Sequence, residues 1–168
     1  MWWFKQKAAY FRFAILLLAS LLAACGFRLQ GTDEYPASMA STYIDAEDHY
    51  TFFYRDLRVA LEQGGVRLAG SPIDADAVIR IERDESGQKV LTISVRNVPT
   101  EYDVFYTVRY SVWINGVEVL PSRTLSLNQD YTYDETQTLG KNREAEGIRK
   151  AISADIVRQV GRELLRLK

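Results

Sequence analysis

The chain has 168 residues, enough for one ordinary domain with a core of its own. Its 21 basic and 22 acidic side chains leave a net charge of −1, which argues against a nucleic-acid binder driven by bulk charge. A single cysteine excludes an internal disulfide.

The first residues have a layout of their own. Lys5, Lys7 and Arg12 precede an apolar run from Phe13 to Ala24. A charged start, a short apolar stretch and small residues at its end predict a secretory signal peptide over residues 1–24. The run falls short of the roughly 20 apolar residues that a membrane-spanning helix needs. Leu22-Ala23-Ala24 leads directly into Cys25, the only cysteine. That arrangement resembles the lipobox of bacterial lipoproteins, in which a peptidase cuts before the cysteine and its sulfur and amino group are acylated. Each buried CH₂ adds about 0.8 kcal/mol of membrane affinity, so several chains on Cys25 would hold a domain firmly on a bilayer. Gly26 follows, where lipoproteins kept at the inner membrane usually carry Asp, so the resemblance implies an outer-membrane destination. Residues 25–40, punctuated by Gly31, Pro36 and Ser38, are expected to be a lipidated tether, and residues 41–168 a single folded domain.

Ser41 to Ala46 reads as a short strand, and helical spacing of Phe53, Leu57, Ala60 and Leu61 predicts a helix from Thr51 to Gln63. Gly64-Gly65 ends it. A short strand over Val66 to Leu68 and a loop at Ser71 to Ala75 follow. Alternation at Ile79 and Ile81, and again at Leu91, Ile93 and Val95, predicts a hairpin turning at Asp84-Glu85-Ser86-Gly87. The longest strand is expected from Glu101 to Ile114, with Tyr102, Val104, Tyr106, Val108, Tyr110 and Val112 on one face. Phe105, Thr107, Arg109, Ser111 and Trp113 take the other. Asn115-Gly116 is suited to a tight type I′ turn. A further strand runs from Val117 toward Asn128, interrupted at Pro121. After a loop at Tyr131 to Lys141, a helix is expected from Arg143 to Leu167. Its stripe is Ile148, Ile152, Ile156, Val160 and Leu164, widened by Ala145, Ala151 and Leu167. The order predicts an α+β fold: two amphipathic helices on one face of a mixed, mainly antiparallel sheet of about four strands.

Catalytic chemistry has little to work with. With one histidine in the chain and Cys25 expected to be acylated, zinc sites and Cys–His nucleophiles are excluded. His49, beside Glu47 and Asp48, reads as solvated surface, and no nucleophile elbow, SxxK pair or phosphate loop occurs. The carboxylate pairs Asp74/Asp76 and Asp84/Glu85 read as loop and turn residues. Binding is better supported. Phe105 and Trp113 face away from the expected core, which implies a partner surface. Arg96 and Lys141 lie in polar stretches next to strand and helix ends, where their cations suit phosphates or stand as solvated charges.

Taken in order, Cys25-Gly26-Phe27-Arg28-Leu29, then Arg96-Asn97 leading into Thr100-Glu101-Tyr102, then Leu139-Gly140-Lys141 before an amphipathic helix, resemble the LPS-assembly lipoprotein family (LptE). The resemblance implies a non-enzymatic outer-membrane lipoprotein of the LPS transport machinery, with no cofactor and no metal. It implies lipopolysaccharide and an outer-membrane β-barrel translocon of the LptD type as partners. The lipoprotein would be anchored through acylated Cys25 on the periplasmic side and largely enclosed by the barrel as a plug. By the same resemblance Arg96 and Lys141 are the LPS-binding residues, and Arg143 is a further candidate. The alternatives are another envelope-assembly scaffold lipoprotein without a lipid ligand and, with no nucleophile–base pair to support it, a periplasmic hydrolase.

Overall fold

The structure, a computed structural model, describes residues 34–133 and 138–167. The expected leader and Cys25 lie outside the described residues. The elements are β1 (Ser41–Asp45), α1 (Phe52–Gln63), β2 (Arg67–Leu68), β3 (Ala77–Ile93), β4 (Pro99–Ile114), β5 (Val117–Thr132) and α2 (Thr138–Leu164). The sheet has five strands in the order β2-β1-β3-β4-β5. β1 runs parallel to β2 and β3, and the remaining pairs are antiparallel. The class expected from sequence is the class observed, with five strands instead of about four.

Thr51 caps α1, its hydroxyl accepting from the Tyr54 backbone N–H at 3.1 Å. Phe53, Leu57 and Leu61 then point into the core and are fully buried. On α2 the stripe Ile148, Ile152, Ile156, Val160 and Leu164 is buried as expected. The helix starts earlier than expected, at Thr138. Ala151 is exposed, and Val157 and Ser153 are buried beside the stripe instead. Beneath both helices lies one face of the sheet, carrying Ile79, Val104, Tyr106, Val108, Tyr110 and Val112. Tyr110 donates to Glu163 Oε2 at 2.7 Å, and Arg123 holds Glu163 Oε1 at 2.8 Å, tying the end of α2 to β4 and β5. The packed body also takes in residues that the sequence reading places in the tether. Met39 is fully buried, and the Tyr35 ring lies so close over Gly64 that a Cβ there would meet it at 2.3 Å.

Three expectations about strands need correction. Asp84 to Gly87 is not a turn: β3 is one continuous strand that pairs with β4 along most of its length. The cause is a bulge. Ile81 pairs with Tyr110 and Arg83 with Arg109, leaving Glu82 as an extra residue. One inserted residue reverses which side chains face the helices, so Asp84 turns inward, and beyond it the strand no longer follows the phase set by Ile79 and Ile81. Leu91 and Ile93, at two further register shifts between Val90 and Ile93, are exposed. β5 does not stop near Asn128; it continues to Thr132, and Pro121 sits at a register shift on this edge strand, where no ladder partner is lost. Tyr131 belongs to that strand and is buried. The Asn115-Gly116 turn is as expected, both residues having positive φ (49° and 78°).

Asp84 joins the sheet to the start of α1. Thr51 Oγ1 donates to Asp84 Oδ2 at 2.5 Å, and the Phe53 N–H donates to the Tyr106 hydroxyl at 3.1 Å. Burial pushes the Asp84 carboxyl above the usual carboxylate range, with the Thr51 hydrogen bond opposing it in part. Between the unfolded value, about 3.9, and the raised folded value, the native state keeps a proton that the unfolded chain has lost. This contribution is therefore fully present below the unfolded pKa and is lost as pH rises through the folded one. Asp84→Asn, which stays neutral, is expected to flatten that decline. Urea unfolding of both proteins across mildly acidic to neutral pH measures it, and parallel curves would contradict it.

Candidate functional site

The β3–β4 hairpin closes at Ser94 to Val98. Ser94 N–H donates to the Val98 carbonyl at 2.8 Å, and Asn97 N–H donates to the Ser94 carbonyl at 2.9 Å. The Ser94 hydroxyl accepts from the Val98 N–H at 3.2 Å. Asn97 takes the left-handed conformation (φ 61°) that the turn demands, a role asparagine tolerates, so no glycine is needed here. Arg96 is thereby carried to the apex and is exposed; among the described residues no hydrogen bond or ion pair engages it.

The register brings the start of α2 to the same end. Glu101 pairs with Thr132, and the Tyr133 N–H donates to the Thr100 carbonyl at 2.8 Å. Helix α2 begins at Thr138, so the backbone of Lys141 lies in its opening turn. The Lys141 side chain lies outside the described residues. Arg143, next along the helix, is exposed. Beneath this end Tyr102 stacks on Tyr131 at 5.7 Å between ring centres and meets Tyr133 edge-on at 5.3 Å. Tyr131 donates to Gln88 Oε1 at 3.3 Å. The strands approaching the apex expose Val90, Leu91 and Ile93, and Val95 in the turn is fully exposed. Exposed apolar side chains thus stand beside the Arg96 cation at this end of the domain. The sequence reading missed this, because it placed Leu91, Ile93 and Val95 on an inner face.

The helix-free face of the sheet is largely a set of cross-strand polar pairs. Arg80 meets Asp45 at 3.1 Å, Arg109 meets Glu82 at 3.5 Å, Thr107 meets Ser126 at 2.8 Å and Asn128 meets Asp103 at 2.8 Å. A hydrogen bond from Ser122 at 2.7 Å is the largest influence holding the Glu82 carboxyl below its ordinary value. Phe105 and Trp113 lie on this face, as expected, but half-buried. Phe105 spreads over its cross-strand partner Gly87, where a Cβ would meet the ring at 2.8 Å, and Lys89 sits 4.9 Å from the ring centre. Arg80 lies 5.8 Å from the centre of Trp113.

His49 is exposed and stacks on Tyr54 at 4.6 Å. Among the described residues no group of three or more His, Cys, Asp or Glu side chains is placed to hold a metal. No described helix is long and apolar enough to cross a membrane.

The sequence pattern of the LptE lipopolysaccharide-assembly family matches residues 39–164. The LPS-assembly lipoprotein LptE of Yersinia enterocolitica is 28% identical over 153 residues, covering 90% of this chain and 73% of that protein. Its namesake from Yersinia pestis is 28% identical over 155 residues with the same coverage. Among solved structures, an uncharacterized lipoprotein B from Nitrosomonas europaea superposes with a TM-score of 0.66 at 23% identity, covering 80% of this chain and 87% of that one. The rare lipoprotein B from Shewanella oneidensis gives 0.64 at 22% identity, covering 74% and 92%. These last two likenesses speak to the fold, which they share. The family pattern spans both helices and every strand, and on that ground the chain belongs to the LptE lipopolysaccharide-assembly family.

Proposed function

We propose that the chain is a non-enzymatic, lipid-anchored component of lipopolysaccharide assembly at the outer membrane. In this reading Cys25 carries the acyl anchor once residues 1–24 are removed, and the stretch between it and the packed Tyr35 and Met39 connects it to the domain. The ligand is LPS, held through its phosphates by Arg96 and Lys141, with Arg143 nearby. The partner is an LPS-translocating β-barrel of the LptD type, which encloses much of the domain from the periplasmic side.

One observation carries the reading most strongly. The hairpin end that exposes Arg96 also exposes Val90, Leu91, Ile93 and Val95, close to where α2 begins. A phosphorylated amphiphile needs both kinds of surface: guanidinium and ammonium groups for phosphate, apolar side chains for acyl chains. The paired polar face of the sheet suits a water-lined or polar barrel lumen, with Phe105 and Trp113 as its apolar contacts. Extraction of the native protein in mild detergent tests the proposal. A large barrel and bound LPS are expected to co-purify with it. Recovery with other envelope proteins and no LPS would favour a scaffold without a lipid ligand.

A further inference from the structure

A second group of charges lies at the opposite end of the domain from Arg96. Helix α2 starts beside the hairpin end, where the Tyr133 N–H bonds the Thr100 carbonyl, and runs to the end where β1 begins. Its 27 residues span roughly 40 Å at about 1.5 Å per residue. At its far end the Tyr35 hydroxyl lies over Gly161, where a Cβ would meet it at 3.4 Å, so the chain entering the domain rests against the last turns of α2. There Glu34, Arg162, Leu165 and Arg166 line a groove of about 360 Å³.

Glu34, Arg162 and Arg166 are all exposed. Among the described residues no hydrogen bond or ion pair engages the side chain of any of the three, whereas Arg158, one turn earlier, is paired with Asp155. The dipole of α2 favours cations near its C-terminus, which accounts for the arginines and leaves Glu34 unexplained. Charges of opposite sign that share a groove without pairing suit a ligand that carries both signs. Inorganic phosphate would set an anion against Glu34. A choline headgroup has no N–H to give a carboxylate. A phosphoethanolamine headgroup answers all three side chains: its phosphate accepts from the guanidiniums, and its ammonium donates to Glu34. The chain itself brings such a ligand close. Glu34 follows Cys25 by nine residues, which reach at most about 32 Å when fully extended.

We infer that the groove between Glu34 and the end of α2 binds the headgroup of an ethanolamine phospholipid, with phosphate on Arg162 and Arg166 and ammonium on Glu34. The inference rests on the proposed function only for the bilayer that an acylated Cys25 supplies.

The full-length acylated protein, in detergent micelles, is offered phosphatidylethanolamine, phosphatidylcholine and phosphatidylglycerol with identical acyl chains, and native mass spectrometry counts the lipid retained. Retention of phosphatidylethanolamine is expected to exceed that of either other lipid by about tenfold. Arg162→Ala combined with Arg166→Ala should lower it to the level of phosphatidylcholine. Glu34→Gln, which loses only the charge, should erase the preference for ethanolamine over choline. All these side chains are exposed, so thermal melts of the variants should match the parent. Equal retention of the ethanolamine and choline lipids, stronger retention of phosphatidylglycerol, or undiminished retention by the double arginine variant would overturn the inference. The intact mass of the same protein reports acylation. If Cys25 carries no acyl chains, the anchor reading falls and the lipid comparison still decides the groove; if acylated protein shows no preference, the groove alone is refuted.

Discussion

Ile152→Asp is expected to abolish the cooperative thermal transition of the domain. Ile152 is 4% exposed and sits midway along the buried stripe of α2, between Ile148 and Ile156. A carboxylate there has to lose its water without gaining a partner, or take up a proton, and either route costs several kcal/mol against a total stability of about 5–15 kcal/mol. The conservative Ile152→Val removes one methylene and should cost only about 0.5–1.5 kcal/mol. Circular dichroism melts of the three proteins separate the cases. An unchanged melt for Ile152→Asp would contradict the placement of this face of α2 against the sheet.

Cys25→Ala is expected to remove acylation completely. Cys25 is the only thiol in the chain, so no other residue can carry a thioether-linked lipid. If the peptidase requires the modified cysteine, the variant accumulates as uncleaved precursor. Metabolic labelling with palmitate, followed by electrophoresis, measures both outcomes at once. Label that persists in the variant, or normal cleavage without it, would refute the anchor. At about 0.8 kcal/mol per buried CH₂, losing the acyl chains removes the membrane affinity that the anchor supplies.

Local pattern made much of the architecture readable. The 3.6-residue spacing of Phe53, Leu57 and Leu61, and of the α2 stripe, located both helices and their buried faces. The unbroken alternation from Tyr102 to Ile114 located β4 and assigned Phe105 and Trp113 to the helix-free side. Asn115-Gly116 located its own turn. What pattern hid was β3. A bulge at Glu82 changes the phase of the strand without changing its composition, and Asp-Glu-Ser-Gly looks like a turn unless the partner strand is known. Gly87 is explained by the ring of Phe105 lying over it, and Asp84 by the start of α1; both partners are distant in sequence. The exposed apolar hairpin end lies beyond two further register shifts between Val90 and Ile93, equally hidden from pattern.

The candidate cations were legible as positions in sequence, and the end of the fold to which each is carried was not. Arg96 and Lys141 are 45 positions apart in the printed sequence, and only the pairing of β3, β4 and β5 brings the apex of the hairpin and the opening of α2 to one end. Asn97 in the left-handed conformation shows how the loop closes without a glycine.

In the proposed function, this end of the domain binds LPS through Arg96 and Lys141. The most direct test is LPS capture by the purified protein carrying Arg96→Asp and Lys141→Asp, with circular dichroism as the folding control. Arg96 is exposed, so its reversal should change stability by less than about 0.5 kcal/mol. Hydrogen bonds to charged groups contribute about 1.5–3 kcal/mol each, so capture should weaken by more than about tenfold. Capture by the unaltered protein should also fall with added salt. Undiminished capture by the folded double variant would contradict the claim.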